Sequence, residues 1–388
     1  MAERSLVFPA AEFVRRTGAL QARMAEAGQD ALLLTGPADI FYVTGFLTRF
    51  WESPARPWFV VVPAAGRPVA VIPAIGSALM GRTWIDDIRT WPAPDPEDDG
   101  IGLLAETLGD LVPESGAIGV PMGLETSLRM PLGDYLRLAA RLAPRGLVDA
   151  TDTIQRVREI KSEAEIAKIR AICGIADTAF EAVPAIVAET PRLDTVFRSF
   201  QMALLEAGAD WVSYTAGGAG PGGYGDVISP AGPQVLRAGD LLMLDTGAVK
   251  DGYFCDFDRN FALGKPSPEV CRAQAALFAA TEAALATLRP GMRASDAHRI
   301  LTGALEKEGA TPGGGRLGHG LGVTLTEWPS FTDRDHTELR AGMVLTLEPS
   351  VELAPGRILV HEEDIVLRAT GPELLSRRAP AELPVIVP

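Results

Sequence analysis

The sequence predicts two domains, and the first of them belongs to the α/β class. The chain has 388 residues, more than one domain of ordinary size. In the first part, short apolar runs alternate with segments of helical periodicity, which is typical of α/β domains. A long amphipathic segment then begins near residue 156 and opens a second domain. We therefore expect domains at 1–155 and 156–388.

The elements of the first domain follow from periodicity and turn residues. A helix is predicted at 11–27, with Gly28 as its stop. Further apolar patterns predict strands at 31–34, 58–62 and 68–72 and helices near 101–112 and 130–142. The acidic, proline-rich segment 93–100 is expected to be a solvated loop.

The second domain opens on a helix whose apolar residues recur at helical spacing. They are Ile166, Ile169, Cys173, Ala176 and Phe180. Ser162, followed three residues later by Glu165, predicts a capping box at the start of this helix. The helix is therefore expected to pack one face on the core of the second domain.

Composition excludes several classes of partner. The formal net charge of −14 argues against nucleic acid, because phosphate contacts need clustered lysine and arginine. Three cysteines without a CxxC pair suit a reducing compartment and argue against a zinc knuckle. The N-terminus lacks the basic start and apolar run of a secretory signal, and no segment has the apolar length of a membrane span. We expect a soluble, cytoplasmic protein.

Four acids and one histidine in the second domain stand in apolar, strand-like surroundings. They are Asp245, Asp256, His319, Glu348 and Glu362. An unpaired buried carboxylate is costly, and converging carboxylates repel one another unless cations lie between them. Oxygen ligands with one imidazole suit Mn²⁺, Co²⁺, Zn²⁺ or Fe²⁺. Each residue alone also suits a turn or a structural role, but together they indicate a site for two divalent ions.

This joint pattern resembles the superfamily of creatinase, prolidase, aminopeptidase P and methionine aminopeptidase. The matching segments are GDLLMLDTGAVKDGYFCDFDRNF, GHGLG, GMVLTLEPS and HEEDIVL. Upstream, REIKSEAEI resembles the helix that opens the catalytic domain of this superfamily. DALLLTGPADIFYVTGF resembles the N-terminal domain of its creatinase and prolidase members. The resemblance implies an α/β N-terminal domain followed by an α+β catalytic domain with the pita-bread fold.

The resemblance also implies roles for the five residues. Asp256 and Glu362 would bridge two metal ions. Asp245 would bind one ion, and His319 with Glu348 would bind the other. In such two-metal sites the ions activate a water molecule and polarise the bond under attack. Glu348 would transfer the proton of that water.

The chain departs from proline-cleaving relatives at three positions near the metals. The region about seventeen residues before Asp245 holds no histidine, and Thr326 stands where a second imidazole is expected. Val360 replaces an arginine two residues before Glu362. The imidazoles hold the scissile amide and stabilise the tetrahedral intermediate. Their absence favours a relative that cuts a non-peptide C–N bond, as creatinase or an ectoine hydrolase does.

Three further residues are candidates for the substrate site. Glu327 would orient or protonate a ring nitrogen, and Trp328 would stack on a cation. The alternative places Glu327 on the surface and Trp328 in the core. Tyr224 lies in the glycine-rich segment 217–225, which contains no phosphate-binding motif. We expect a flexible loop there, with Tyr224 facing the substrate.

Two residues near the ligands have open roles. Asp258 would be either a sixth ligand or a partner of Arg259, and we favour the second role. His361 precedes Glu362, and strand alternation turns it to the opposite face, so we do not expect it to bind metal.

An aromatic and basic segment in the first domain predicts a contribution from a second subunit. Segment 46–59 mixes aromatic side chains with arginines. In related enzymes, a loop of the partner subunit caps the active site of a dimer. We expect Phe50, Trp51 and Arg56 to reach the substrate in this way across a homodimer. The alternative is an ordinary loop beside a strand.

Three functions remain open at this point. The first is a metal-dependent hydrolase that cuts an amide or amidine C–N bond in a small molecule or dipeptide. The second is a metal-independent hydrolase of the creatinase or ectoine-hydrolase type, with His319 as acid and base. The intact ligand set argues against the second. The third is a non-enzymatic binding protein of the same fold, and such proteins usually lose ligands.

Overall fold

The computed structural model describes residues 7–52 and 57–387. The chain divides into two compact units, Met1–Arg158 and Glu159–Pro388. Each unit has its own cluster of buried apolar side chains.

The first unit is built on one six-stranded sheet. Its strands are Ala31–Leu34 (β1), Phe59–Pro63 (β2), Val69–Pro73 (β3), Asp87–Trp91 (β4), Ala117–Val120 (β5) and Gly146–Asp149 (β6). Its α-helices are Ala10–Glu26 (α1), Pro37–Thr44 (α2), Ser77–Met80 (α3), Ile101–Leu111 (α4), Leu132–Leu142 (α5) and Thr151–Arg158 (α6). The strand order is β4-β3-β2-β1-β5-β6. β2 runs antiparallel to β1 and β3, and the other neighbours are parallel.

The predicted helices and strands of this unit are confirmed to within two residues at each end. β1 is buried along its whole length because it lies inside the sheet. α1 ends before Gly28, whose φ of 67° lets the chain turn back. Segment 93–100 forms no helix or strand, in agreement with the predicted loop.

The second unit contains four long helices and two larger, mainly antiparallel sheets. The helices are Glu163–Glu189 (α7), Leu193–Glu206 (α8), Pro268–Thr287 (α9) and Ala294–Lys307 (α10). The first sheet comprises Trp211–Pro221 (β7), Asp240–Lys250 (β8), Tyr253–Phe254 (β9), Phe257–Leu263 (β10) and, near the C-terminus, Val385–Ile386 (β18). In this sheet β8 pairs antiparallel with β7, β9 and β10, and β10 pairs parallel with β18.

The second sheet and a hairpin follow α10. The strands in chain order are His319–Gly320 (β11), Glu327–Ser330 (β12), Val344–Leu347 (β13), Ser350–Ala354 (β14), Arg357–Val360 (β15), Glu363–Arg368 (β16) and Gly371–Leu374 (β17). The sheet has the order β12-β11-β13-β16-β17, and β14 pairs with β15. A pair of helices followed by a mainly antiparallel sheet thus occurs twice in this unit.

Helix α7 shows the predicted capping box. The Ser162 side chain accepts the backbone N–H of Glu165, and the Glu165 side chain accepts that of Ser162. By length and composition alone α7 is long enough to cross a membrane. This is weak evidence, because core helices of soluble proteins meet the same test. The predicted apolar face of α7 is buried.

Candidate active site

Two neighbouring strands bring acids to one face of the first sheet. Asp245 lies in the middle of β8, and Asp256 lies immediately before β10. The two strands pair antiparallel, with Asp258 directly opposite Asp245. Directly paired residues point to the same face of a sheet, and so does the residue two positions along. The acids of both strands therefore share one face.

His319 is carried by a short strand between two glycines. A Cβ on Gly318, whose φ is 141°, would lie 2.2 Å from the carbonyl oxygen of Thr346. A Cβ on Gly320 would lie 2.3 Å from the carbonyl oxygen of Trp328. Only glycine permits such approaches. The GHG sequence therefore reflects the close packing of the strand that presents His319.

The imidazole of His319 contacts a carbonyl with one nitrogen and a carboxylate with the other. Nδ1 lies 2.8 Å from the carbonyl oxygen of Gly320, which can only accept, so Nδ1 carries the proton. Nε2 lies 3.3 Å from Oδ2 of Asp256. In a neutral ring, the Nε2 lone pair faces a carboxylate oxygen and is repelled by it. A cation between the two atoms, or a proton on the ring or on the carboxylate, removes this repulsion.

The two candidate glutamates enter from the second sheet. Glu348 follows β13, and Glu362 precedes β16. The backbone N–H of Glu362 donates to Oδ1 of Asp258 at 3.0 Å, which links the two sheets. Ligand atoms of three buried residues lie within 4.8 Å of one another: Asp256, His319 and Glu362.

Asp245 and Glu348 lie outside this triplet, but they interact electrostatically with its acids. Burial and the charge of Asp256 raise the pKa of Asp245 to about 7. Burial raises the pKa of Asp256 to about 8 and that of Glu348 to about 7. Burial and the charge of Glu348 raise the pKa of Glu362 well above its ordinary value. Such a group holds protons near neutral pH unless other cations replace them.

Some carboxylate oxygens of this group have no hydrogen-bond partner within residues 7–52 and 57–387. They are Oδ1 of Asp245, Oδ2 of Asp258 and Oε1 of Glu362. A buried carboxylate oxygen without a donor is costly. Hard divalent ions bind such oxygens together with imidazole nitrogen. The donor set and its unused oxygens therefore fit divalent metal ions.

Glu363, next to Glu362, is bound by arginine side chains instead of lying among other acids. Its carboxylate accepts hydrogen bonds from Arg259 and Arg378, each at 3.0 Å. Burial raises the pKa of Glu363, but the charge of Arg259 and the hydrogen bonds to the carboxylate outweigh it and hold the pKa below its ordinary value. Nε2 of His361 accepts from Arg378 at 2.6 Å, and burial lowers the pKa of the ring, so His361 packs beside this ion pair as a neutral group. Glu362, without such partners, is the one suited to metal.

The expected pairing of Asp258 with Arg259 is wrong at the side-chain level. The guanidinium of Arg259 donates to the backbone carbonyl of Asp258, at 2.5 Å. The carboxylate of Asp258 accepts the backbone N–H of Glu362 instead. Arg259 donates to the carboxylate of Glu363.

Two residues that contact the site, Tyr214 and Asp364, were not expected from the sequence. The hydroxyl of Tyr214 donates to the carboxylate of Asp245. The carboxylate of Asp364 accepts the backbone N–H of Asp256 at 3.0 Å and the thiol of Cys173 at 3.3 Å. Tyr214 lies in β7, where a bulge interrupts the pairing with β8. No spacing rule for single strands reveals such a contact.

Glu327 is a buried, bound acid, so its alternative placement on the surface is wrong. Its Oε2 accepts from Nζ of Lys161 at 2.9 Å, and its Oε1 accepts the backbone N–H of Val323 at 2.9 Å. Both oxygens thus fix the turn between β11 and β12. The indole of Trp328 donates to Oγ1 of Thr337 at 2.8 Å. Catalysis by Glu327 and stacking by Trp328 stay predictions, and these contacts favour a supporting role.

Tyr224 does not lie on a loose loop. It is 3% exposed and belongs to the core of the second unit. Its hydroxyl donates to Asn260 at 2.8 Å and accepts the backbone N–H of Val360 at 2.9 Å. The expected substrate contact by Tyr224 stays a prediction against which its burial argues.

The aromatic segment of the first unit is partly described. The ring of Trp51 packs edge-on against Phe46 and Trp58, and the guanidinium of Arg129 lies 5.2 Å from its centroid. Phe50 is 41% exposed. Arg56 lies outside the described residues. The proposed contact of Trp51 and Arg56 with substrate therefore stays a prediction.

Known proteins resemble both units. Residues 16–160 match the creatinase/prolidase N-terminal domain, and residues 167–369, more than half of the chain, match metallopeptidase family M24. A probable dipeptidase PepE of Mycobacterium tuberculosis is 28% identical over 394 residues, which cover 98% of each chain. The crystal structure of dipeptidase PepE from Mycobacterium ulcerans has a TM-score of 0.83 at 28% identity and covers 98% of this chain and 100% of that one. A prolidase from Thermococcus sibiricus also has a TM-score of 0.83, at 24% identity, with 96% and 99% covered.

Proposed function

The chain belongs to metallopeptidase family M24, and from that premise we propose that it hydrolyses small amides, with dipeptides as the leading substrate class. Membership in the family implies dependence on divalent metal and hydrolysis of C–N peptide bonds. The mycobacterial relative that matches almost the whole chain is named a probable dipeptidase. A small substrate with one accessible amide is consistent with the reaction of the family and with the name of this relative.

One observation carries the proposal of a metal site. Nε2 of His319 faces a carboxylate oxygen of Asp256, and buried oxygens of Asp245 and Glu362 lack hydrogen-bond partners among the described residues. This arrangement is costly without cations and favourable with them. The proposed ligands of two divalent ions are Asp245, Asp256, His319, Glu348 and Glu362.

Divalent ions at this site would polarise the scissile carbonyl and supply a nucleophilic water near neutral pH. The residues of the chain orient and exchange protons around that chemistry. Hydrogen bonding to Gly320 fixes the ring of His319. Glu348, like Asp245, is only partly buried, and we assign to it the transfer of a proton from the attacking water to the leaving nitrogen.

The absence of proline-peptidase groups supports a substrate range that does not require proline. Thr326 and Val360 stand where an imidazole and an arginine are expected in proline-cleaving relatives. An amidine or a cyclic osmolyte would also suit a site without them. These compounds therefore belong in the same substrate screen as dipeptides.

Two further properties are proposed with this function. Cys173 and Cys255 are buried free thiols, which suits a cytoplasmic location. A homodimer would allow the aromatic segment of one subunit to reach the site of another. Light scattering after size-exclusion chromatography measures the oligomeric state, and a monomer contradicts this part.

Metal analysis and a substrate screen test the proposed function. The purified protein is loaded with Mn²⁺, Co²⁺, Zn²⁺ or Fe²⁺, and bound metal is counted by mass spectrometry. Dipeptides with and without proline are compared with creatine and ectoine as substrates. We expect two metal equivalents, dipeptide hydrolysis and its loss on chelation. Chelator-resistant turnover would favour the metal-independent reaction, and no metal under replete conditions would contradict the proposal.

The role of Glu348 has its own test. Glu348→Gln removes the proton acceptor and is expected to lower kcat by at least ~100-fold, the usual contribution of general acid–base catalysis. Circular dichroism should show an unchanged fold. Wild-type turnover by Glu348→Gln would show that the assigned role is wrong.

A further inference from the structure

Asp258 is a further buried acid among the candidate ligands, and the proposed reaction does not yet use it. It is 2% exposed. In the antiparallel pairing of β8 with β10 it lies directly opposite Asp245. Directly opposite residues have their Cβ atoms about 5 Å apart on the same face of a sheet. The carboxylates of Asp245 and Asp258 therefore extend from neighbouring positions on the face that carries the candidate ligands.

The two carboxylate oxygens of Asp258 have different surroundings. Oδ1 accepts the backbone N–H of Glu362 at 3.0 Å, which fixes the carboxylate beside the backbone of a candidate ligand from the other sheet. Oδ2 is buried and has no hydrogen-bond partner within residues 7–52 and 57–387. The first oxygen thus joins the two sheets, and the second is left for a cation.

The carboxylate of Asp245 is divided in the same way. Its Oδ2 accepts the hydroxyl of Tyr214, and its Oδ1 has no partner in the described part of the chain. A buried oxygen without a donor costs free energy, and two charged acids in adjacent positions also repel one another. One cation bound by both acids removes both costs.

The arginine next to Asp258 in the sequence does not supply this cation. Strand alternation turns Arg259 to the opposite face of β10. Its guanidinium donates to the carboxylate of Glu363 at 3.0 Å and to the backbone carbonyls of Asp258 and Glu362. Its charge is therefore paired with Glu363, and the second oxygen of Asp258 is left to another cation.

A proton shared between Asp245 and Asp258 is the alternative to a metal ion. However, each carboxylate accepts a hydrogen bond, from the hydroxyl of Tyr214 or from the backbone N–H of Glu362. Hydrogen bonds donated to a carboxylate favour its ionised form, and the ionised form is the one that binds metal. These contacts therefore favour the metal ion over the shared proton.

We propose that Asp258 is a sixth metal ligand, which binds through Oδ2 the same divalent ion as Asp245. The inference rests on the proposed function, because it concerns the same metal site. This position would then be lined by carboxylates alone, whereas His319 serves the other ion. Oxygen ligands in such number suit Mn²⁺ better than Zn²⁺, which is usually held by four ligands that include nitrogen or sulfur.

Two substitutions of Asp258 test the proposal by metal binding. Asp258→Asn keeps the oxygen that accepts from Glu362 and replaces the other with an amide nitrogen. Asp258→Ser removes the second oxygen without adding such a donor. Each variant should bind one Mn²⁺ normally and the other at least ~100-fold more weakly, which exceeds the usual effect of losing a supporting contact. Competition with a chelator measures both affinities, and mass spectrometry counts the ions that remain after gel filtration.

A control and a stability measurement exclude trivial loss of metal. Asp333→Asn neutralises an acid of the same unit whose side chain is 75% exposed, and it should bind two ions like the wild type. Metal-free Asp258→Asn should unfold at no lower temperature than the metal-free wild type, because its amide can donate to Asp245. Asparagine also imitates a protonated Asp258. Two ions bound with wild-type affinity by Asp258→Asn would therefore favour the shared proton and overturn the proposal.

A crystal structure of the Mn²⁺-loaded wild type measures the contact directly. Oδ2 of Asp258 should lie within about 2.5 Å of an ion, the range of bonds between carboxylates and divalent ions. A separation above ~3 Å would make Asp258 a supporting residue and overturn the proposal. The wild-type metal count separates the two proposals. A wild type without metal contradicts both, whereas two ions in the wild type and in both Asp258 variants contradict this one alone.

Discussion

At the scale of single residues, two adjacent glutamates show how local partners separate structural from functional acids. Glu363 is fully buried and bound by Arg259 and Arg378. Glu362 is almost as deeply buried but has an oxygen without a partner among the described residues. The sequence HEED places both in the same apolar context, so only their contacts distinguish them.

Neutralising each glutamate should have opposite effects on stability. Glu363→Gln leaves the buried guanidinium of Arg259 without its acid, whereas Arg378 keeps Glu282, and it is expected to lower the free energy of unfolding by roughly 3–5 kcal/mol. Glu362→Gln replaces a buried acid that no arginine binds and whose pKa burial raises, so the metal-free protein should keep or gain stability while it loses bound metal. Denaturant unfolding and metal analysis of both variants measure these changes. A metal-free Glu362→Gln that is as unstable as Glu363→Gln would contradict the assignment.

Tyr214 gives a second prediction at this scale. Tyr214→Phe removes the hydrogen bond that holds the Asp245 carboxylate. Loss of such a supporting contact typically weakens metal binding by ~10- to 100-fold. Competition with a chelator of known affinity measures the change. Tyr135→Phe, in the first unit, is the control, and equal metal affinity of the two variants would show that Tyr214 has no part in the site.

At the scale of elements, the short strand β11 depends on glycine. Gly318→Ala would place a methyl group against the carbonyl of Thr346, at a φ that side chains rarely adopt. We expect a loss of about 2 kcal/mol or more. A Cβ added to Gly303, which lies in α10, would point into open space, so Gly303→Ala should stabilise by roughly 0.5–1 kcal/mol. Thermal unfolding of both variants checks the contrast, and a harmless Gly318→Ala would refute the packing argument.

Helix α1 contains a buried arginine that its periodicity did not predict. Arg16 is 0% exposed and donates to the carbonyl of Tyr42 at 3.0 Å and to Glu12 at 3.0 Å. Its guanidinium also lies over the rings of Phe8 and Tyr42. The helix therefore buries a charge on its apolar face because carbonyl, carboxylate and aromatic groups surround it.

This contact predicts a pH dependence of stability. Burial raises the pKa of Glu12, but Arg15 and Arg16 outweigh it and hold the pKa below its ordinary value. The stabilisation is therefore present above the unfolded pKa and disappears as pH falls through the lower folded pKa. Glu12→Gln should cost ~1–3 kcal/mol at pH 7, and its stability curve should approach that of the wild type in acid. Parallel curves across this pH range would contradict the argument.

At the scale of the whole molecule, the family assignment confirms the predicted fold class. The first unit has the α/β architecture of the creatinase/prolidase N-terminal domain, and the second has the pita-bread fold of family M24. All five proposed ligands lie in the second unit. Metal binding should therefore stabilise that unit directly.

Removal of metal tests this localisation. A ligand that binds only the folded state at ~100 times its dissociation constant adds about 2.7 kcal/mol of stability. On chelation, hydrogen exchange should accelerate in 240–263 and 344–368, which carry four of the proposed ligands. Segments 31–34 and 117–120 of the first unit serve as the internal reference. Faster exchange in both units alike, or in neither, would contradict a metal site formed by the second unit.

Local patterns predicted six elements of the first unit and helix α7, because each depends on near neighbours in the chain. The apolar run at 31–34, the stop at Gly28 and the capping box at Ser162 need only short-range geometry. The buried state of Glu327 and Tyr224 was not predicted. Their partners Lys161 and Asn260 lie far away along the chain, so no local pattern reveals them.

The sequence by itself determined the fold class, part of the elements and the five candidate ligands, because these depend on periodicity and on motifs with fixed spacing. Tertiary structure alone decided which acids lack partners and which are bound. Glu362 and Glu363 have the same chemistry and differ only in the arginines that packing brings to one of them. Electrostatic energy depends on distances in space, and the chain sequence does not contain those distances explicitly.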